Sequence, residues 1–295
     1  MLRSTRWVFN GSLEDFFMNQ IGVLITFHRG VDVLAEMQKV KDMGCACCQL
    51  VIWDTTLYTE ENAKMILEAS AATGVEISTL WAGWVGPTIW NFTDGPATLG
   101  IVPEAYRERR VEQLLEGADF AARLGVARMA THAGFLPENC NDPQYPGVLE
   151  ALRRIVDRCK DRGVYFLFET GQETPVTLLR VIEDLGGENV GINMDTANLI
   201  LYGKANSADA ITVFGKYVMD THIKDGFYPT CGKELGEEVA VGQGMANIPE
   251  VVRRLRTVGY TGNYIIEREI CGEEQTRDII ATIAYLKEIL EKDED

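Results

Sequence analysis

The chain has 295 residues, of which 46% are hydrophobic and 24% are charged, an ordinary balance for a globular protein with a sizeable core. Its 44 acidic residues exceed its 28 basic ones, and the formal net charge is -16. This excess argues against a nucleic acid or an anionic membrane surface as partner, because both are bound through clustered lysine and arginine.

Three features predict a cytoplasmic protein. No apolar run reaches the roughly 18 residues that a membrane-spanning helix needs. No apolar stretch follows Arg3 and Arg6 as it would in a signal peptide. The seven cysteines show no paired spacing typical of a disulfide framework.

From residue 20 onward, short apolar runs alternate with amphipathic segments whose apolar residues recur every three or four positions. The runs predict eight strands: Ile21–Phe27, Cys45–Ile52, Val75–Leu80, Val126–Thr131, Val164–Phe168, Val190–Met194, Tyr217–His222 and Asn263–Glu267. The amphipathic segments predict helices that include Val31–Met43, Glu60–Thr73, Glu104–Leu124, Tyr145–Arg162, Ile248–Val258 and Glu273–Leu290.

Eight strand–helix repeats with strands buried on both faces are typical of a single-domain α/β fold, the (β/α)8 barrel. We therefore expect an N-terminal extension at 1–19, a barrel at 20–290 and an acidic tail at 291–295. A doubly wound open sheet is the alternative, but it usually carries a glycine-rich phosphate loop after its first strand, and this sequence has none there.

Two connections are longer than the others and follow the third and seventh strands, at 81–103 and 227–246. Long connections in compact domains are often lids or binding loops. The first is rich in aromatic residues, and Trp81 and Trp84 are candidates to stack on the apolar face of a sugar ring, with core packing as the alternative.

A metal-capable side chain stands at the end of each of the last four strands: Glu169, Asp195, His222 and Glu267. Because the carboxyl ends of barrel strands converge around the axis, these groups should lie close together. Three carboxylates and an imidazole so placed need a cation, and the donor types favour Mn²⁺, Mg²⁺ or Co²⁺, with Zn²⁺ also compatible.

Three further residues follow strand ends on the same face. His132 ends the fourth strand and is a candidate for substrate binding or proton relay. His28, after the first strand, and Lys224, two residues past His222, are candidates for substrate contact. For each, a structural or solvated role is the alternative.

The sequence resembles the xylose-isomerase-like barrels, the superfamily of sugar phosphate isomerases/epimerases and AP endonuclease family 2, over roughly residues 20 to 290. The resemblance lies in the segments Phe168-Glu169-Thr170, Asn193-Met194-Asp195-Thr196-Ala197-Asn198-Leu199, Thr221-His222-Ile223-Lys224-Asp225, Gly242-Gln243-Gly244 and Ile266-Glu267-Arg268.

The resemblance implies one bound metal, usually manganese-like, on the four strand-end residues. It also implies that Glu169 and Glu267 act as acid and base in proton transfer through an enediolate of a small sugar-like substrate. Many members carry a histidine three residues after the metal-binding aspartate, where this sequence has Asn198, so substrate contact there would involve an amide. Barrels of this kind often pair, so a homo-oligomer is compatible with the sequence.

Other functions use the same architecture. Dehydratases of inososes or keto acids, and enzymes that cleave C-glycosides, begin with the same proton abstraction and then expel a leaving group. A DNA-repair endonuclease is disfavoured by only three histidines and the acidic excess. A non-catalytic, metal-stabilised subunit is the remaining alternative.

Overall fold

The computed structural model describes residues 19–292, which contain eight parallel barrel strands and one short antiparallel pair. The pair consists of β8 (Asp225–Gly226) and β9 (Glu238–Val239). The barrel strands are β1 (Ile21–Thr26), β2 (Cys47–Ile52), β3 (Glu76–Ala82), β4 (Arg128–Thr131), β5 (Tyr165–Glu169), β6 (Val190–Asp195), β7 (Val218–Ile223) and β10 (Tyr264–Ile266). Their order around the closed barrel is β1-β10-β7-β6-β5-β4-β3-β2, so the predicted (β/α)8 barrel is confirmed.

The helices lie between the strands in the alternation that the sequence predicts. They are α1 (Val33–Asp42), α2 (Glu60–Thr73), α3 (Gly95–Thr98), α4 (Glu104–Arg123), α5 (Tyr145–Asp161), α6 (Pro175–Asp184), α7 (Asn198–Leu201), α8 (Ser207–Phe214), α9 (Ile248–Thr257) and α10 (Glu273–Lys292). Side-chain caps explain several starting points: Asp32, Thr59, Thr174 and Asn206 each accept a backbone N–H from the first turn of the helix that follows.

The predicted terminal segments fall mostly outside the described residues: only Asn19 of the N-terminal extension and Glu291 and Lys292 of the acidic tail are described. No helix between residues 19 and 292 is both long and apolar enough to cross a membrane.

Two β-bulges change which side chains point into the barrel. Between β2 and β3, Cys48 pairs with Ile77 and Gln49 with Thr79, which leaves Ser78 as an extra residue. Between β6 and β7, Ile192 pairs with Val218 and Asn193 with Asp220, which leaves Met219 extra. A bulge re-aims the side chains beyond it. Asp220 consequently accepts hydrogen bonds from both hydroxyls of the β3 bulge, Ser78 Oγ at 2.9 Å and Thr79 Oγ1 at 2.7 Å.

The connection after β7 is fixed at its far end by one carboxylate. Asp225 accepts backbone N–H groups from Gly226, Gly242, Gly244 and Ala246, each at 2.9 Å. A Cβ on Gly244 would lie 2.3 Å from Asp225 Oδ1, so only glycine allows this approach. The Gly242-Gln243-Gly244 segment is thus a turn wrapped around a buried acid.

The connection after β3 is held by a buried arginine on α4. The guanidinium of Arg110 donates to four carbonyl oxygens of this connection, those of Val85, Pro87, Thr98 and Gly100, at 2.6 to 3.1 Å. It also lies over the Trp84 ring, 5.4 Å from the ring centroid. Burial lowers the pKa of Arg110 to about 10, so the group remains a cation at neutral pH.

Replacing this arginine should loosen the whole connection. In Arg110→Met, four carbonyls lose a charged donor, and we expect the free energy of unfolding to fall by about 3 kcal/mol or more, with faster proteolysis between residues 83 and 101. Urea denaturation and limited proteolysis measure both effects. Arg109→Met, at the exposed neighbouring position, is the control; equal stability of the two variants would contradict the assignment.

Candidate metal centre

Four neighbouring strands each deliver one metal-capable side chain to the same level of the barrel. Glu169 and Asp195 are the last residues of β5 and β6, His222 is the fifth residue of β7, and Glu267 directly follows β10. Asp195 and His222 are direct partners in the β6–β7 register. The side chains of Asp195 and His222 are fully buried, that of Glu169 is nearly so, and that of Glu267 is 14% exposed.

The four side chains converge on one point. One ligand atom from each lies within 4.8 Å of every other. Nδ1 of His222 lies 3.0 Å from Glu169 Oε1, 3.1 Å from Glu267 Oε2 and 3.9 Å from Asp195 Oδ2. The four side chains therefore lie close together, as the sequence predicts.

The donor set fits a divalent cation. Asp195 Oδ1 accepts the backbone N–H groups of Ala197 and Asn198, both at 2.7 Å, whereas its Oδ2 is buried without a hydrogen-bond partner. A buried carboxylate oxygen without a partner is costly unless something cationic meets it. Carboxylate oxygens with one imidazole suit Mn²⁺ or Mg²⁺.

The electrostatics of the cluster favour the same conclusion. Burial raises the pKa of Asp195 well above its ordinary value, and the charges of Glu267 and Glu169 add to the effect. Burial acts on Glu267 in the same direction, but Lys224 and His222 outweigh it and hold the pKa of Glu267 well below the ordinary value. The acids compete for limited positive charge, and a divalent cation would keep all three ionised.

Lys224 lies behind the acidic groups and is 1% exposed. Its Nζ is 2.9 Å from Glu269, 3.5 Å from Glu267 and 3.8 Å from Asp195. It does not line the cavity described below. The structure therefore places it as a counter-charge to the acids of the site.

A cavity of about 730 Å³ opens above the four-residue cluster. Trp81 and His132 form part of its wall, together with Trp53, Trp90 and Asn198. The indole N–H of Trp81 donates to Glu169 Oε2, so this ring also orients a glutamate of the cluster.

Trp84 lies outside the cavity wall. It is 3% exposed and packs between Trp81 and the guanidinium of Arg110, with ring centroids 5.9 Å apart in the tryptophan pair. Its indole supports the wall from behind, so the structure favours the packing alternative over stacking on a ligand.

The remaining candidate residues line the cavity at different depths. His132 is buried with Nε2 3.5 Å from Glu169 Oε2, and its Nδ1 has no hydrogen-bond partner. The amide nitrogen of Asn198 is 3.5 Å from Glu169 Oε1. His28 is exposed at the mouth, with Nδ1 3.0 Å from the carbonyl oxygen of Arg29.

Sequence reasoning missed several residues near the site. Gln49 contacts His222 directly, Trp53 and Tyr202 line the cavity, and Arg268 lies at its rim between Glu238 and Asp278. Of these residues, only Gln49 could have been identified from the sequence, because it is the one strongly polar side chain within the apolar run that forms β2.

This barrel with a buried four-residue cluster at the carboxyl ends of its strands matches a known family model. Residues 37–289 match the model described as "Xylose isomerase-like TIM barrel", and the chain belongs to this family.

Among its relatives is a xylose isomerase domain protein from Planctomyces limnophilus, 30% identical, whose structure aligns with a TM-score of 0.87 over 93% of this chain and 98% of that one. A D-tagatose 3-epimerase-like protein shares the fold, with a TM-score of 0.69 and 23% identity over 92% of this chain and 97% of that one. An uncharacterized protein from Methanocaldococcus jannaschii is 24% identical over 269 residues, covering 87% of this chain and 84% of the relative.

One further buried acid, Glu173, lies close to the cluster. Glu173 follows β5, is 2% exposed, and its Oε1 makes no hydrogen bond. Burial raises the pKa of Glu173 to about 8. The folded protein therefore holds this group as a neutral acid at pH 7, while the unfolded chain ionises it.

This difference predicts a pH-dependent stability. The pKa of Glu173 is higher in the folded protein than in the unfolded chain. Its stabilising contribution to the free energy of unfolding is therefore complete below about pH 4.5 and is lost as the pH rises towards 8. Glu173→Gln removes this dependence. We therefore expect the free energy of unfolding of the variant, relative to that of wild type, to rise by roughly 3 kcal/mol between pH 5 and pH 8. Urea denaturation at both pH values measures it. Glu183→Gln, at an exposed position, should follow wild type; a similar gain in that control would contradict the prediction.

Proposed function

We propose that this chain is a divalent-metal-dependent isomerase or epimerase that moves a proton on a neutral sugar or sugar derivative through an enediolate. The observation that carries the proposal is the convergence of Glu169, Asp195, His222 and Glu267. Two of them, Glu169 and Glu267, line a cavity with aromatic side chains in its wall. Membership of the xylose isomerase-like family and the shared fold of an epimerase-like protein support the choice of substrate class.

Glu169 and Glu267 are the proposed acid and base. They come from β5 and from the end of β10, which are separated in the barrel by β6 and β7, so they approach the cavity from different directions. One carboxylate would take the proton from the carbon beside a carbonyl, and the other carboxyl group would return a proton to the opposite face or the adjacent carbon. A bound divalent cation would polarise the carbonyl oxygen as a Lewis acid.

The neighbouring side chains have roles that follow from their contacts. Trp81 donates to Glu169 and keeps one carboxylate oxygen directed, while its ring forms part of the cavity wall. His132 lies in the wall with Nε2 3.5 Å from Glu169 Oε2, and the amide of Asn198 lies on the other oxygen of Glu169. Concave sites that combine aromatic side chains with polar groups aimed inward are typical of small-molecule sites.

The charges around the cavity favour a substrate without phosphate. Among the described residues of its wall, Arg268 is the single arginine or lysine, and it pairs with Glu238 at 2.9 Å and with Asp278 at 2.8 Å. Glu169, Glu267 and Glu269 add negative charge to the same wall. A phosphate would therefore meet an acidic wall whose one arginine is already paired.

The reaction is tested by proton exchange. The manganese-loaded protein should incorporate deuterium from D2O into a ketose of a neutral panel and form an isomer, as measured by NMR and mass spectrometry. Glu267→Gln, assayed at saturating Mn²⁺, should lower the exchange rate by at least about 100-fold, while Glu274→Gln at an exposed position should leave it unchanged. Loss of water or of an aglycone would favour the dehydratase or lyase alternative, and no reaction with any carbonyl sugar would favour a non-catalytic subunit.

Substrate charge gives a second, independent prediction. A neutral ketose should bind better than its phosphate ester, because the phosphate would face an acidic wall whose one arginine is already paired. Calorimetric binding of matched pairs to the metal-loaded protein measures the difference. Tighter binding of the ester, lost in Arg268→Gln, would contradict this part of the proposal.

A further inference from the structure

The interior of the barrel below the metal centre contains a polar network that the proposed reaction does not use. It consists of Gln49, Ser78, Thr79, Asn193 and Asp220, all from strands of the barrel. Gln49, Thr79, Asn193 and Asp220 are fully buried. A buried network of this kind carries a desolvation cost, so its members need a structural or functional reason.

Gln49 joins this network to the metal centre. Its Oε1 lies 2.8 Å from Nε2 of His222, on the side of the imidazole that faces away from the acidic cluster. The other ring nitrogen, Nδ1, faces Glu169 and Glu267. The two ring nitrogens of His222 therefore have different environments. Nε2 faces the amide of Gln49, and Nδ1 faces the carboxylates.

The orientation of the Gln49 amide is set by its neighbours. Its Nε2 lies 2.7 Å from Asn193 Oδ1 and 3.1 Å from Asp220 Oδ2. If the amide were reversed, its oxygen would face the oxygen of Asp220 and its NH₂ would face His222. The hydroxyls of Ser78 and Thr79, brought together by the β3 bulge, bind the same Asp220 oxygen and keep that carboxylate in place.

We propose that Gln49 is a positioning residue that fixes the tautomer of His222, so that Nε2 carries the proton and Nδ1 presents its lone pair to the cation. Only an N–H at Nε2 can donate to the fixed amide oxygen, and a neutral imidazole with its proton there has a free pair at Nδ1. The inference rests on the metal site of the proposed function and goes beyond the four ligands themselves.

The consequence for metal binding follows from the energy of the alternative tautomer. Once a cation occupies Nδ1, the remaining proton of His222 is on Nε2, and the oxygen of Gln49 stabilises it there. Without that oxygen, the Nε2–H loses its acceptor, and the tautomer with the proton on Nδ1, where it donates to Glu169 or Glu267, competes better with metal binding. Removal of such an outer partner typically costs about 10- to 100-fold in metal affinity.

The test uses histidine-selective ¹⁵N labelling of the full chain loaded with Zn²⁺, which is diamagnetic. The chain has three histidines, His28, His132 and His222, so the spectra are simple. In wild type we expect the His222 proton on Nε2 and the metal on Nδ1. A proton on Nδ1, or no zinc bound at His222, would overturn the proposal without any variant.

Affinity measurements on variants complete the test. Gln49→Met keeps the length of the side chain without the oxygen, and we expect Zn²⁺ and Mn²⁺ affinities, measured by chelator competition, to fall about 10- to 100-fold. Gln38→Met, the same replacement at an exposed position of α1, is the matched control and should stay within about threefold of wild type. Unchanged affinity in Gln49→Met, or an equal fall in Gln38→Met, would overturn the proposal.

The measurements also separate this proposal from the proposed function. Neither the tautomer nor the affinity depends on turnover. If metal binds as described and no sugar is converted, the role of Gln49 stands and the isomerase assignment fails.

Discussion

The repulsion among three buried carboxylates is the interaction on which the rest of this structure depends. Glu169, Asp195 and Glu267 lie within a few ångströms of one another at a place with little access to water. The protein opposes this repulsion with His222, with the buried amine of Lys224 and with two backbone N–H groups at Asp195. Oδ2 of Asp195 is left without a hydrogen-bond partner, with His222 and Lys224 no closer than 3.8 Å, and a divalent cation would relieve the remaining imbalance.

Barrel geometry explains how the sequence meets this constraint. The carboxyl ends of neighbouring parallel strands converge, so four strand-end residues far apart in sequence become neighbours. The β7 bulge places Asp220 and His222 in register with Asn193 and Asp195 of β6. The polar network around Gln49 then lies one layer below the ligands, and the aromatic wall lies one layer above them. Each layer orients the next.

Much of this was predictable from the sequence, and the exceptions have physical reasons. The alternation of apolar runs and amphipathic helices specifies the barrel, and an acid or histidine after each of four strands specifies the cluster. Burial of Lys224 and Trp84 could not be read from position alone. Each follows a strand, but the amine of Lys224 is enclosed by Glu267 and Glu269, and Trp84 packs behind Trp81. The bulges at Ser78 and Met219 shift the inside–outside alternation by one residue without any distinctive sequence pattern. The partnership of Gln49 and His222, 173 positions apart, depends on closure of the barrel.

The two long connections meet above the cavity at one backbone hydrogen bond, from the N–H of Phe92 to the carbonyl oxygen of Lys233, 3.0 Å apart. Their anchoring is unequal. The first is tied through four carbonyls to Arg110, whereas the Asp225 carboxylate secures the second only beyond Ala240. The second is also closed on itself by the β8–β9 pair and fastened to α7 by the N–H of Gly236, 2.8 Å from the carbonyl oxygen of Leu201. The bond at Phe92 therefore couples two segments that are each anchored elsewhere in the barrel, so a displacement of either one is transmitted to the other.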